Sequence, residues 1–132
     1  MSENMFIPPY TYQGYVHRCV DADTVEVSID LGFGVILKNR KVRLLGINAP
    51  ERYTATGPAA TAGLRALIHE FGCVDPDHPD DVLVLLATKL DKNDKYGRIL
   101  ARLRGFDRKQ GWLPIDINQE MILRGFAVPM GE

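Results

Sequence analysis

The sequence predicts a mainly β domain: a small barrel of five strands carrying two helices, a β+α arrangement. Three observations predict it. Residues 24–31 alternate, with Val25, Val27 and Ile29 on one face and Glu26, Ser28 and Asp30 on the other, the period of a half-buried strand. Ala60, Leu64, Leu67, Ile68 and Phe71 make one apolar stripe at helical spacing, the mark of a helix lying on a core. The strand segments are short, and five such strands lose their exposed edges by closing into a barrel.

The elements are taken in chain order. Residues 1–10 form a proline-containing lead-in, and residues 11–132 form the single domain. From Thr11 the β-formers Tyr12, Tyr15, Val16, Cys19 and Val20 make the first strand. Its apolar parity is even up to Ala22 and odd from Val25 onward. A period-two pattern changes parity only at a bend, bulge or turn, so Asp21 and Asp23 lie at a corner between two strands. Leu31 to Gly34 turn the chain, and Val35 to Ile47 is a third strand, completing an antiparallel meander.

Asn48 to Thr56 reads as a loop. Gly57-Pro58 opens the first helix, proline suiting the first helical position. Cys73 to Asp81 is an acidic loop, Val82 to Ala87 a buried strand, and Leu90 to Arg98 a charged loop. Ile99 to Leu103 is the fifth strand, Gly105 to Pro114 a polar connection. Asp116 caps a short second helix that runs through Leu123 and ends at Gly125.

The totals bound the function. At 132 residues and 14.8 kDa the chain suits one domain. Its net charge of −1 and pI near 6.3 provide no global basic field to draw in a polyanion, so any such binding is local or aided by a metal. Cys19 and Cys73 form no CxxC and read as reduced thiols. The N-terminal residues lack a basic segment followed by an apolar run, and no stretch approaches the ~20 apolar residues of a membrane span. The expectation is a monomer in the cytoplasm, with no membrane partner.

The chemistry concentrates in two segments, Asp21-Ala22-Asp23-Thr24-Val25 and Arg43-Leu44-Leu45-Gly46-Ile47-Asn48-Ala49-Pro50-Glu51. Asp21 and Asp23 share a face if the chain is extended there, and two close carboxylates repel unless a cation lies between them. Hard oxygen ligands suit calcium or magnesium; a turn rich in aspartate is the plainer alternative. Arg43 sits among Val42, Leu44, Leu45 and Ile47, where a guanidinium needs an anion or water, and its fork suits a phosphate. Glu51 is placed to act as a base or to serve as a loop residue.

Asp94-Lys95-Tyr96-Gly97-Arg98 offers two cations and a phenol in a loop entering a strand. His17, His69 and His78 do not pair with the cysteines at zinc spacing, and there is no phosphate-binding GxxxxGK[ST] or GxSxG elbow.

Taken in order, Asp21-x-Asp23-Thr24-Val25, then Arg43-Leu44-Leu45-Gly46-Ile47-x-x-Pro50-Glu51, then Asp94 to Arg98, then Asn118 to Ala127 resemble the staphylococcal nuclease family, from about residue 12 to 128. The resemblance implies an OB-fold barrel and a calcium-dependent phosphodiesterase acting on DNA and RNA. It implies that Asp23 ligates calcium, with Asp21 in the outer shell and the Ala49 backbone carbonyl contributing. Glu51 would activate water, Arg43 and Arg98 would bind the scissile phosphate, and Lys95 and Tyr96 would touch a neighbouring one.

Two departures stand out. Asn48 takes the place of a second calcium-binding aspartate; an amide oxygen still ligates calcium, but with one formal charge less. The chain also stops at Glu132, before the family's third helix and its base-stacking tyrosines, a form that resembles phage-encoded or intracellular versions. The alternative function is an OB-fold module with weakened or no catalysis that binds nucleic acid or a protein.

Overall fold

The computed structural model describes residues 10–90 and 98–131. Strands β1 (Thr11–Asp21), β2 (Thr24–Asp30) and β3 (Ile36–Leu44) form the expected antiparallel meander. After them come β4 (Ile47–Asn48), α1 (Gly57–Phe71), β5 (Cys73–Val74), β6 (Val82–Leu90), β7 (Ile99–Asp107), β8 (Leu113–Asp116), α2 (Ile117–Leu123) and β9 (Val128–Pro129). β1 pairs with β6, β6 with β7, and β7 with β3, so β1, β2, β3, β7 and β6 close a five-stranded barrel. This is the OB-fold architecture with its two helices.

The closing seam differs from an all-antiparallel expectation. β3 and β7 run parallel, with Val42 opposite Ile99, Arg43 opposite Leu100 and Leu44 opposite Ala101. A parallel pair needs a long crossover, and the chain supplies one through α1 and β6.

The change of parity is made by irregular pairing and a tight turn. The β1–β2 register slips between Val16 and Arg18 and again between Cys19 and Asp21, after which Asp21 faces Thr24 across Ala22-Asp23. Each slip adds a residue to one strand and re-aims the side chains beyond it.

Several segments depart from the sequence reading, among them Cys73-Val74, read as loop but paired with Leu83 and Val82 as β5. Residues 35–47 are not one strand: the chain turns at Leu45-Gly46, where Gly46 takes φ +77°, a conformation that glycine adopts without penalty. β4 then begins, and Ile47 and Asn48 pair with Pro129 and Val128. Asn48 therefore belongs to a strand and not to a loop. Finally, β7 continues to Asp107 and turns back through a 3-10 turn at Arg108–Gln110 into β8. The outward Arg104 and the inward Gly105 disguise that extension as a loop.

Val25, Val27, Val42, Leu44, Leu86 and Leu103 fill the barrel, while Leu64, Leu67 and Ile68 of α1 and Ile117 and Met121 of α2 join the same core. Each such side chain contributes roughly 1.5–3 kcal/mol by leaving water. Helix α1 carries its proline in the first turn. Helix α2 starts as expected, the Asp116 carboxylate accepting from Gln119 N at 3.2 Å.

Candidate active site

The β1–β2 turn brings Asp23 under the end of β3. Thr24 and Arg43 are cross-strand partners, so the Arg43 guanidinium reaches back over the turn. Its Nη1 lies 2.9 Å from Asp23 Oδ2, with the two side chains only 16% and 13% exposed. Asp23 Oδ1 accepts from Thr24 Oγ1 at 3.2 Å. Arg43 thus finds the anion that its apolar surroundings demand, and that anion is a neighbouring carboxylate.

Both aspartates also hold backbone. Ala49 N donates to Asp23 Oδ2 at 3.1 Å, and Arg52 N donates to Asp21 Oδ1 at 2.9 Å. Pro50 and Glu51 lie between those two anchors. The acidic corner therefore grips the loop on either side of Glu51, through charge-assisted bonds stronger than neutral ones. Glu51 itself is exposed, and its carbonyl accepts from Thr54 N and Thr54 Oγ1 at 3.0 and 2.7 Å. These bonds fold the next residues into a turn.

In β4 the alternation buries Ile47 and leaves Asn48 exposed, one residue from the amide that Asp23 holds. Ala49 is partly buried. Arg98 stands at the entrance to β7, just before Ile99, while Arg43 pairs with Leu100. The barrel seam therefore carries both arginines on neighbouring stretches of chain. Lys95 and Tyr96 lie outside the described residues.

The donor set can be tested for a divalent cation. Asp21, Asp23, the Asn48 amide and the Ala49 carbonyl offer oxygen only, which suits calcium or magnesium. A carboxylate oxygen accepts at more than one lone pair, so Asp23 Oδ1 keeps capacity beyond its bond to Thr24. The set fits a hard cation in kind. It is short of charge, however: no group of three or more Asp, Glu, His or Cys side chains converges among the described residues, and Arg43 offsets part of the charge of Asp23.

Residues that the sequence reading did not assign also shape this region. Asn118 is fully buried. Its Nδ2 donates to the carbonyls of Leu45 and Ala101 at 2.8 and 3.0 Å, and its Oδ1 accepts from Leu103 N at 3.0 Å. One side chain on α2 thereby pins β7 and the turn after β3. Asn118 opens the fourth motif, yet an asparagine in a short helix carries no sign of that role. Gly57 is a second case, packed against the Glu51 backbone.

A further network lies away from the acidic corner. His17 Nδ1 is 2.7 Å from Asp81 Oδ1, and His17 Nε2 is 2.7 Å from Ser28 Oγ. The connectivity is that of an acyl-transfer relay. But Ser28 Oγ also accepts from Asn39 N at 3.3 Å, and the hollow beside His17 does not include Ser28. The trio fastens the irregular part of β1 to β2 and to the segment before β6.

Comparison with known families decides what this architecture is. The family described as "Staphylococcal nuclease homologue" matches residues 41–131. The chain belongs to that family. The match includes Arg43, Asn48, Ala49, Glu51 and Arg98, and begins after Asp21 and Asp23. No curated protein matches the chain. Membership of the staphylococcal nuclease family gives the domain a nuclease or nucleic-acid-binding function in coarse terms, with nucleic acid as the partner. Among the described residues no helix is long and apolar enough to cross a membrane.

Proposed function

We propose that this family member is a metal-dependent phosphodiesterase, calcium being the favoured ion, that hydrolyses DNA or RNA with little sequence preference. The observation that carries the reading is the double anchorage of the Glu51 loop, Ala49 N on Asp23 and Arg52 N on Asp21, beside the largely buried Arg43. A binding module has use for cations, but no need for a carboxylate base held in place over them.

In this reading Glu51 takes a proton from water as the water oxygen forms its bond to phosphorus. The bond to the leaving oxygen breaks in line, and that oxygen collects a proton from solvent. Arg43 and Arg98 donate to the phosphoryl oxygens, where negative charge grows, a role typically worth ~10²–10³-fold per group. Phosphate competes with Asp23 for Arg43, and a guanidinium has donors enough for both. Asp23, Asn48 and the Ala49 carbonyl would hold the cation, with Asp21 in the outer shell. Bound there, it supplies Lewis acidity toward a phosphoryl oxygen. Lys95 and Tyr96 are proposed to contact the adjacent phosphate.

One observation favours the second reading, a non-catalytic nucleic-acid-binding barrel. Asn48 is neutral, and the oxygens of Asp23 already serve Arg43, Ala49 and Thr24. Incubating the protein with single-stranded DNA in calcium, magnesium, manganese or EDTA, beside Glu51→Gln, separates the two. Cleavage that requires metal and vanishes in the variant supports the enzyme. DNA that is bound but intact under every condition supports the module.

A further inference from the structure

Between β1 and α1 lie two adjoining hollows of about 310 and 330 Å³. Arg18, Cys19 and Arg65 line both of them, Arg52 lines the second and His69 the first. On α1, Thr61, Arg65 and His69 are spaced by four residues, so they form one row facing β1. At 1.5 Å per residue the row is about 12 Å long.

The charges here are not balanced locally. Among the described residues, the guanidinium groups of Arg52 and Arg65 have no ion-pair or hydrogen-bond partner. Arg18 has only Glu26, at 3.3 Å on an exposed side chain. Among the described residues Asp80 is the one carboxylate lining either hollow, in the first and not in the second where Arg52 lies, and Asp81 is engaged by His17. Thr61 lines the second hollow, and its Oγ1, out of contact with water, has no hydrogen-bond partner. Gathering cations in a chain of net charge −1 costs repulsion that a bound anion would offset. Among the described residues no Phe, Tyr or Trp lines either hollow, so no large ring is there to stack on bases.

The groove is also joined to the candidate site. The backbone N–H of Arg52 is the one held by Asp21, and Arg52 is the next residue after Glu51. We infer that the groove of Arg52, Arg18 and Arg65 is a second phosphate track, which takes the sugar–phosphate backbone of a single polynucleotide strand flanking the phosphate at Arg43. This rests on the nuclease reading and extends it. The track reads backbone charge and not sequence.

Binding of a fluorescent 20-residue oligothymidine and of a trinucleotide tests it, by anisotropy across a salt series, with calcium and again with EDTA. Every protein carries Glu51→Gln so that strands stay intact. Adding Arg18→Gln and Arg65→Gln, both exposed positions, removes two contacts. On single strands each contact contributes a slope of about 0.7 in log K against log salt. The 20-mer should therefore bind roughly twentyfold more weakly at 0.1 M salt, with a slope shallower by about 1.4, while the trinucleotide binds as before. An unchanged 20-mer affinity and slope would overturn the track and leave the nuclease reading standing. If the parent protein binds neither ligand in either condition, both fall. An unaltered melting temperature shows that the variant is folded.

Discussion

Gly57 presses against Glu51. A Cβ at Gly57 would overlap the Glu51 carbonyl and come within 2.8 Å of Arg52 Cα. The first turn of α1 thus forms a wall behind the loop that carries the proposed base, and only a bare α-carbon leaves that loop room. Gly57→Ala should cost about 1–3 kcal/mol, since backbone on both sides must shift. That lowers the melting temperature by roughly 3–10 °C. Cleavage should fall further than stability predicts, read as a loss in kcat at a temperature where the variant is fully folded.

Asn118 offers a sharper stability test. Asn118→Ala removes three hydrogen bonds and takes the side-chain partner from the Leu103 N–H and the Leu45 carbonyl near the barrel seam, while the Ala101 carbonyl keeps Leu45 N at 2.9 Å. A loss of about 3–5 kcal/mol is expected in denaturant melts. Gln119→Ala, one residue along on the exposed side of α2, should cost under about 0.5 kcal/mol.

Asn48→Asp should tighten calcium binding on the order of tenfold, by restoring one charge to the ligand set. Titration calorimetry checks it. No gain would place residue 48 outside the cation's reach, consistent with its outward position in β4.

Cys19 supplies a pH signature. Burial pushes its thiol up from 9.0 to about 11, against a smaller opposing pull from Arg65. The folded state therefore holds this proton more tightly than the unfolded chain does. The resulting stability is complete below about pH 9 and is lost as pH rises through about 11. Denaturant melts in that window should show stability falling, and Cys19→Ala should flatten the fall. At pH 8 the exposed Cys73 should react with an alkylating thiol reagent well before Cys19.

Much of this was legible in the residues, because periodicity is a direct imprint of burial. The alternation at Val25, Val27 and Ile29 and the stripe from Ala60 to Phe71 both turned out to be core, and the change of parity at Asp21 became a slipped register and a tight turn. The hidden features depend on contacts between distant segments. Nothing local shows that Ile47 and Asn48 would pair with the residues around Val128. Nor does the sequence show that Asp21 and Asp23 would each hold a loop amide 26–31 residues away. The far end of β7 reads as loop because Arg104 and Gly105 resemble loop residues until the wall they pack against is known.

The parallel seam of the barrel has a kinetic meaning. Arg43 meets Leu100 only when segments more than fifty residues apart come together, and such long-range closure is slow compared with the zipping of the β1–β2–β3 hairpins. The Asp21–Asp23 corner can form early, with its own hairpin. Arg43 arrives with that meander, across from Thr24, whereas Arg98, just before β7, reaches its place only as the last pairing closes. A partly folded chain would therefore display the acidic corner and Arg43 without Arg98, and competence would arrive in a single late step of folding.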